Sequence, residues 1–299
     1  MIVASSVRTR RDFLKLSGTA GGLGVGGSLF GAACTSTSSG NALANARERG
    51  SIKIGIANEA PYGFTDENGT VTGQAPKVAR AVLSSIGIGD VQAIPVGFNS
   101  LIPALNALVF DIVCAGMNIT PTRCVQAAFS IPDYSALTAF LVPAGNPQQV
   151  RTFDDLATKK LTMAVLNAAV EQDYAQDSGV SPGNIQVFGD QNELLQAVID
   201  GRTYCAALTD ISLKWLVGQN QGAPVEVTPG FPPVINGRQV VSAGGFVFRE
   251  ADSDLRQTFN AQLRTLHANG RWVEIASPFG FSDANLPGTL TTEQLCSVS

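Results

Sequence analysis

Arg123 closes the run Thr120-Pro121-Thr122-Arg123, a few residues beyond the apolar stretch Ile112-Val113-Cys114-Ala115. An arginine that starts a helix beside the carboxyl end of a strand suits a carboxylate, which it can hold by paired charge-assisted hydrogen bonds. Gly116, just past that strand, lets backbone approach a ligand. Glu59 lies in Ala57-Asn58-Glu59-Ala60-Pro61-Tyr62-Gly63-Phe64, directly after another strand pattern. A strand-end acid can take a cation, and Tyr62 can offer that cation a ring face. Phe98 follows Ile94 to Val96 and can supply a second ring, although either aromatic would serve equally in a core. The set implies a small solute that carries a carboxylate.

Catalysis finds little support. The single histidine, His267, lies at a helix end in Leu263-Arg264-Thr265-Leu266-His267-Ala268-Asn269-Gly270, where a surface histidine is ordinary. There is no Ser/His/Asp set and no nucleotide loop. Among five cysteines no C-x-x-C or Cys/His spacing suggests a metal, so neither metal nor cofactor is expected. Cys114 and Cys205 fall inside apolar strands, where a buried free thiol is the expected state. Cys124 and Cys296 lie outside the predicted strands, which leaves open a bridge tying the tail to the first lobe.

From residue 50 onward short strands alternate with helical patterns, which implies an α/β fold with largely parallel sheets. The chain is long enough for two lobes, each with its own core. Leu101 to Asp111 and Leu194 to Leu208 repeat one helix-then-strand plan. Connectors are read at Pro143-Ala144-Gly145-Asn146-Pro147 and near Asn236-Gly237-Arg238. The expected organisation is lobe 1 over 51–143 and 243–299 and lobe 2 over 144–242, with two hinge crossings and a ligand cleft at the strand ends.

Residues 1–33 read as an address. Thr9-Arg10-Arg11-Asp12-Phe13-Leu14-Lys15 resembles a twin-arginine export signal, and Gly31-Ala32-Ala33-Cys34 resembles a lipobox whose Cys34 is acylated. Residues 34–50, with Thr35-Ser36-Thr37-Ser38-Ser39-Gly40, would then be a flexible tether. The alternative is cleavage after Ala42-Leu43-Ala44 and an unanchored periplasmic or secreted protein. Without residues 1–33 the chain carries 16 basic against 23 acidic residues, which argues against nucleic acid or anionic lipid surfaces as main partners.

The order of elements and the Thr120-Pro121-Thr122-Arg123 motif resemble family 3 extracellular solute-binding proteins, receptors of polar amino acid ABC importers. That resemblance implies the type II bilobed periplasmic-binding-protein fold, a monomer, an ABC permease as partner, and no enzymatic activity. It also implies that Arg123 binds the ligand carboxylate, with backbone contacts at Gly116 and Asn118. Within the family, Ala-Asn-Glu-Ala-Pro-Tyr-Gly, Val71-Thr72-Gly73-Gln74-Ala75-Pro76, Thr-Pro-Thr-Arg-Cys and Leu286-Pro287-Gly288-Thr289-Leu290-Thr291-Thr292-Glu293 are similar to the ectoine/hydroxyectoine-binding proteins. Ectoine carries one carboxylate and a delocalised amidinium, and by position Arg123, Glu59, Tyr62 and Phe98 would serve it. The alternatives are a polar amino acid binder and, more remotely, a sensor module or a cleft enzyme such as a cyclic-acid dehydratase using Glu59.

Several positions depart from these patterns. Asn118 stands where the ectoine binders place a third stacking aromatic. Thr209 stands where amino acid binders place an aspartate for the α-ammonium, with Asp210 one step later and facing the other way along a strand. Asn167-Ala168-Ala169-Val170 lacks the hydroxyls common at the start of lobe 2. Asn192 reads either as a polar ligand contact or as a helix N-cap. Leu108 replaces the glycine that usually ends the first-lobe helix.

Overall fold

The computed structural model describes residues 41–297. The twin-arginine segment, Cys34 and the tether through Gly40 lie outside the described residues. The rest of the expected tether is a helix, α1 (Ala42–Arg49), with Ala46 buried and Gly50 closing it in the left-handed conformation. Arg47 and Arg49 in its last turn complement the helix dipole, and cleavage after Ala44 would fall inside it.

The chain then runs β1 (Ser51–Ile56), a hairpin of β2 (Phe64–Thr65) and β3 (Val71–Thr72), α2 (Gln74–Ser85), β4 (Asp90–Pro95), α3 (Leu101–Asn106), β5 (Ile112–Asn118), α4 (Pro121–Cys124), β6 (Ala128–Phe129) and β7 (Tyr134–Ala136). Next come β8 (Thr138–Pro143), α5 (Phe153–Lys159), β9 (Met163–Leu166), α6 (Val170–Asp177), β10 (Ile185–Phe188), α7 (Gln191–Ile199), β11 (Cys205–Thr209), α8 (Asp210–Gln219) and β12 (Val225–Val227). A small hairpin of β13 (Val234–Ile235) and β14 (Arg238–Gln239) precedes β15 (Ser242–Phe248), α9 (Ser253–Ala268), α10 (Arg271–Ala276) and α11 (Thr292–Cys296).

Two sheets result. The first has the order β4-β1-β5-β15-β6 with β7 also on β15, and the second has the order β10-β9-β11-β8-β12. In each, a first strand lies between its two parallel successors, and an antiparallel strand follows the third. This is the echo expected from the repeated helix-then-strand plan. Strand β8 shows why such strands read as continuous apolar runs. Ala139 and Leu141 enter one core and Phe140 and Val142 the other, because alternate residues face opposite sides and both sides are covered. In the first lobe α2 buries Val78, Ala79, Val82 and Leu83 on one face, at helical spacing. Burying Leu83 alone contributes about 1.5–3 kcal/mol.

The lobe boundaries fall elsewhere than expected. Strand β8 belongs to the second sheet, so the first crossing is at Leu137, between β7 and β8, and Pro143 to Pro147 is a loop within lobe 2. Asn236-Gly237 is the turn of the β13–β14 hairpin, and Ile235 and Val240 still pack on a lobe 2 core. The return crossing is therefore Val241. Ala136 pairs with Ser242, so the two crossings run side by side.

Candidate functional site

Strand ends from both sheets converge on one cavity, lined by Glu59, Tyr62, Phe98, Gly116, Asn118, Arg123, Tyr134, Glu171 and Thr209, together with Ala169, Val170 and Leu208. Seven of the eight residues singled out from the sequence line it. Asn192 does not. Helix α7 starts two residues earlier than read, with Asp190 rather than Asn192 as its N-cap, accepting from the amides of Asn192 and Glu193. One residue along a helix turns the side chain by about 100°, so Gln191 is buried and Asn192 exposed.

Arg123 is held from both lobes. Thr120 caps its short helix, accepting from the Arg123 amide, and Pro121 occupies the first turn. The guanidinium donates to Asn118 O (2.9 Å) and, across the cleft, to Ala168 O (2.8 Å), while its carbon sits 5.3 Å from the Phe98 ring centroid. Burial lowers its pKa from the usual value, with the nearby Glu171 opposing most strongly among charged groups. A guanidinium shielded in this way and backed by an aromatic face is placed to meet a carboxylate.

Gly116 is required by its neighbour. It has φ +62°, and a Cβ there would collide with Cδ1 of Tyr62. Tyr62 is buried, packs against Tyr134 (centroids 5.0 Å apart) and Phe281 (5.6 Å), and donates from its hydroxyl to Thr209 Oγ1 at 3.0 Å. Thr209 also caps α8, accepting from the Ser212 amide. Tyr134 donates to Gly116 O at 2.7 Å, and Asn118 Oδ1 is 3.2 Å from the same hydroxyl. The backbone oxygens of Gly116 and Asn118 thus already have protein partners, and each keeps one lone pair for a ligand.

Two carboxylates face this ring of aromatics. Glu59 accepts from Ser212 Oγ at 2.9 Å across the cleft, and its pKa is raised to about 7 by burial, against the pull of that hydroxyl and of Arg123. Glu171, in the first turn of α6, is 3% exposed and also raised to about 7, by burial and then by Glu59, against its own amide and Arg123. Glu171 and Tyr134 were not singled out from the sequence. Tyr134 reads as a strand residue, and Glu171 follows Asn167-Ala168-Ala169-Val170, which lacks hydroxyls; an acid opening a helix behind a strand is the available signal. Asp210 turns away, binding Lys214 (2.6 Å) and accepting from the Leu137 amide.

The cysteines fall as the bridge reading allowed. Cys124 and Cys296 are joined, with Cα atoms 5.7 Å apart, and Cys114 and Cys205 are buried and free. His267 is not a plain surface residue: its Nε2 lies 3.1 Å from Asp133 O and its ring packs edge-on to Trp272. Asp133 itself accepts from Gln74 and Trp272, a buried network that lies behind Tyr134 and does not line the cavity. Among the described residues no cluster suited to a metal ion occurs and no helix is long and apolar enough to cross a membrane.

The model of bacterial extracellular solute-binding proteins, family 3, matches residues 52–282. The chain belongs to this family. A probable amino-acid ABC transporter periplasmic-binding protein of Sinorhizobium fredii is 34% identical over 260 residues, covering 85% of this chain and 86% of that one. An arginine-binding extracellular protein of Bacillus subtilis is 26% identical, covering 80% and 88%. Among solved structures, EhuB in complex with hydroxyectoine has a TM-score of 0.78 and 31% identity, covering 87% of this chain and 99% of that one. As a family 3 solute-binding protein with a type II fold, the chain is a receptor of an ABC importer for amino acid-like solutes. Its cleft lies where the two sheets meet.

Proposed function

We propose that the protein captures ectoine or hydroxyectoine outside the cytoplasm and passes it to an ABC permease. The observation that carries this reading is the enclosure of one cavity by Arg123, Glu59 and the rings of Tyr62, Phe98 and Tyr134. Arg123 receives the carboxylate, and Glu59 takes a ring N–H. The aromatic faces suit a delocalised amidinium better than a compact ammonium, which is strongly hydrated and needs directed acceptors. Thr209, occupied by Tyr62 and Ser212, offers such an ammonium no charge. The likeness to EhuB supports the same choice. Isothermal calorimetry of ectoine, hydroxyectoine and polar amino acids tests it. Ectoine-type solutes should bind at least about tenfold tighter than glutamine, arginine or histidine, a gap of about 1.4 kcal/mol. A standard amino acid binding more tightly would refute it.

A basic amino acid is the second reading. A neighbouring cavity of about 150 Å³ shares Glu59 and Phe98 and adds Asn58, Asn99, Asn167, Asp190 and Gln191, a polar extension suited to a longer side chain. Turnover of a cyclic carboxylate by the purified protein would overthrow both in favour of an enzyme. Anchoring through acylated Cys34 is a separate proposal: Cys34→Ala should release the protein from the membrane fraction, and unchanged association would exclude it.

A further inference from the structure

Glu171 is the buried charge that the reading above leaves without a task. It lines the cavity from the second lobe while Glu59 lines it from the first, and the charged groups facing it are Glu59, Arg123 and Asp173, with the phenols of Tyr62, Tyr134 and Tyr174 around them. A carboxylate 3% exposed would be costly to keep there without a partner, and among the described residues the only cation directed at it is Arg123. The Arg123 guanidinium is already committed to Asn118 O and Ala168 O, and no hydrogen bond joins it to Glu171. The cavity therefore holds two acids and one base. Once a ligand carboxylate is set against Arg123, two acids remain for the rest of the ligand.

We propose that Glu171 is a second cation-binding carboxylate that, with Glu59, selects solutes presenting two N–H donors on separate sides of the molecule, beside a single carboxylate. This rests on the solute-binding reading of the same cleft and says which chemistry the ligand must bring. A delocalised cation with an N–H at each end of an N–C–N unit satisfies the pair, one end to each lobe. Closing on it draws the lobes together through the ligand's own charge. With the lobes closed as here, burial raises both acids to a pKa of about 7, so capture of a cation drives protons off them. Binding then weakens as the pH falls below about 7.

The test is calorimetry on the mature-length protein with ectoine, L-arginine and cyclohexanecarboxylate, at pH 7.5 and 5.5, in two buffers of different ionisation heat. The wild type should bind an N–H-bearing solute with a buffer-dependent heat that reports proton release, and more weakly at pH 5.5. Glu171→Gln should lower that affinity at least tenfold and reduce the proton release, with an unchanged circular dichroism spectrum. Arg123→Ala separates the two levels of argument. If it abolishes binding while Glu171→Gln leaves affinity and proton release as in the wild type, this proposal fails and the solute-binding reading stands. Tight binding of cyclohexanecarboxylate, which has no N–H, would also overturn it.

Discussion

The hydroxyl of Tyr62, on the first lobe, donates to Oγ1 of Thr209, at the tip of a second-lobe strand, over 3.0 Å. One side chain thus supplies both a wall of the cavity and a tie between the lobes. Tyr62→Phe keeps the ring and removes the tie, an expected loss of about 0.5–1.5 kcal/mol in ligand affinity. Tyr62→Ala also removes the ring and should lose about 0.5–2 kcal/mol more. Equal affinities for the two variants in calorimetry would show that the ring face does not meet the ligand.

Arg123→Ala should abolish measurable binding in a protein that remains folded, because the ligand carboxylate would be buried without a partner at a cost of several kcal/mol, about 3–5. Arg123→Lys should recover little. A lysine cannot span Asn118 O and Ala168 O while presenting a planar fork to a carboxylate. Lysine restoring wild-type affinity would reduce the site's demand to a point charge.

The buried acids also set how the empty protein responds to pH. Burial raises the pKa of Glu171 in the folded chain to about 7, from the usual 4.5. Between those values the folded chain holds more protons than the unfolded one, so stability is lost as the pH rises from about 4.5 through 7. Thermal denaturation of ligand-free protein should therefore give a higher Tm at pH 5.5 than at pH 8. Glu171→Gln should raise the stability at pH 8 by about 1–3 kcal/mol and flatten the profile. A Tm that climbs with pH across this range, in wild type and variant alike, would contradict it.

Leu108 offers a stability prediction. It occupies the position after the α3 cap in the left-handed conformation (φ 61°), with its amide on Leu105 O and the Val109 amide on Ala104 O, and its side chain is 62% exposed. That turn favours glycine, and a branched residue there costs about 1–2 kcal/mol. Leu108→Gly should stabilise the protein by up to about 1 kcal/mol, since the flexible unfolded chain offsets part of the gain. Chemical denaturation would register a loss if the leucine side chain had a packing role.

The first-lobe half of the site was legible because its residues sit just past strands whose apolar runs are unmistakable: Glu59 after β1, Phe98 after β4, Gly116 and Arg123 around the end of β5. The second-lobe half was less so. Placing Asn192 in the cleft required the start of α7 to within one residue, and the Asp190 cap moves it out. Glu171 carries no motif; its importance comes from burial, which the sequence does not print. The crossings were missed for a related reason. Pro143 and Gly237 punctuate turns within lobe 2, whereas the chain passes between lobes through Leu137 and Val241, residues that look like any others in a strand.

Those two crossings have a mechanical consequence. Ala136 pairs with Ser242, so Leu137 and Val241 leave the first sheet shoulder to shoulder and in opposite chain directions. Relative motion of the lobes must be absorbed largely by the backbone torsions of these adjacent residues. Two parallel straps of this kind resist twisting about their own length far more than bending across it. The protein is therefore built to open like a book with a narrow spine, and a solute that spans the cleft sets the angle at which it shuts.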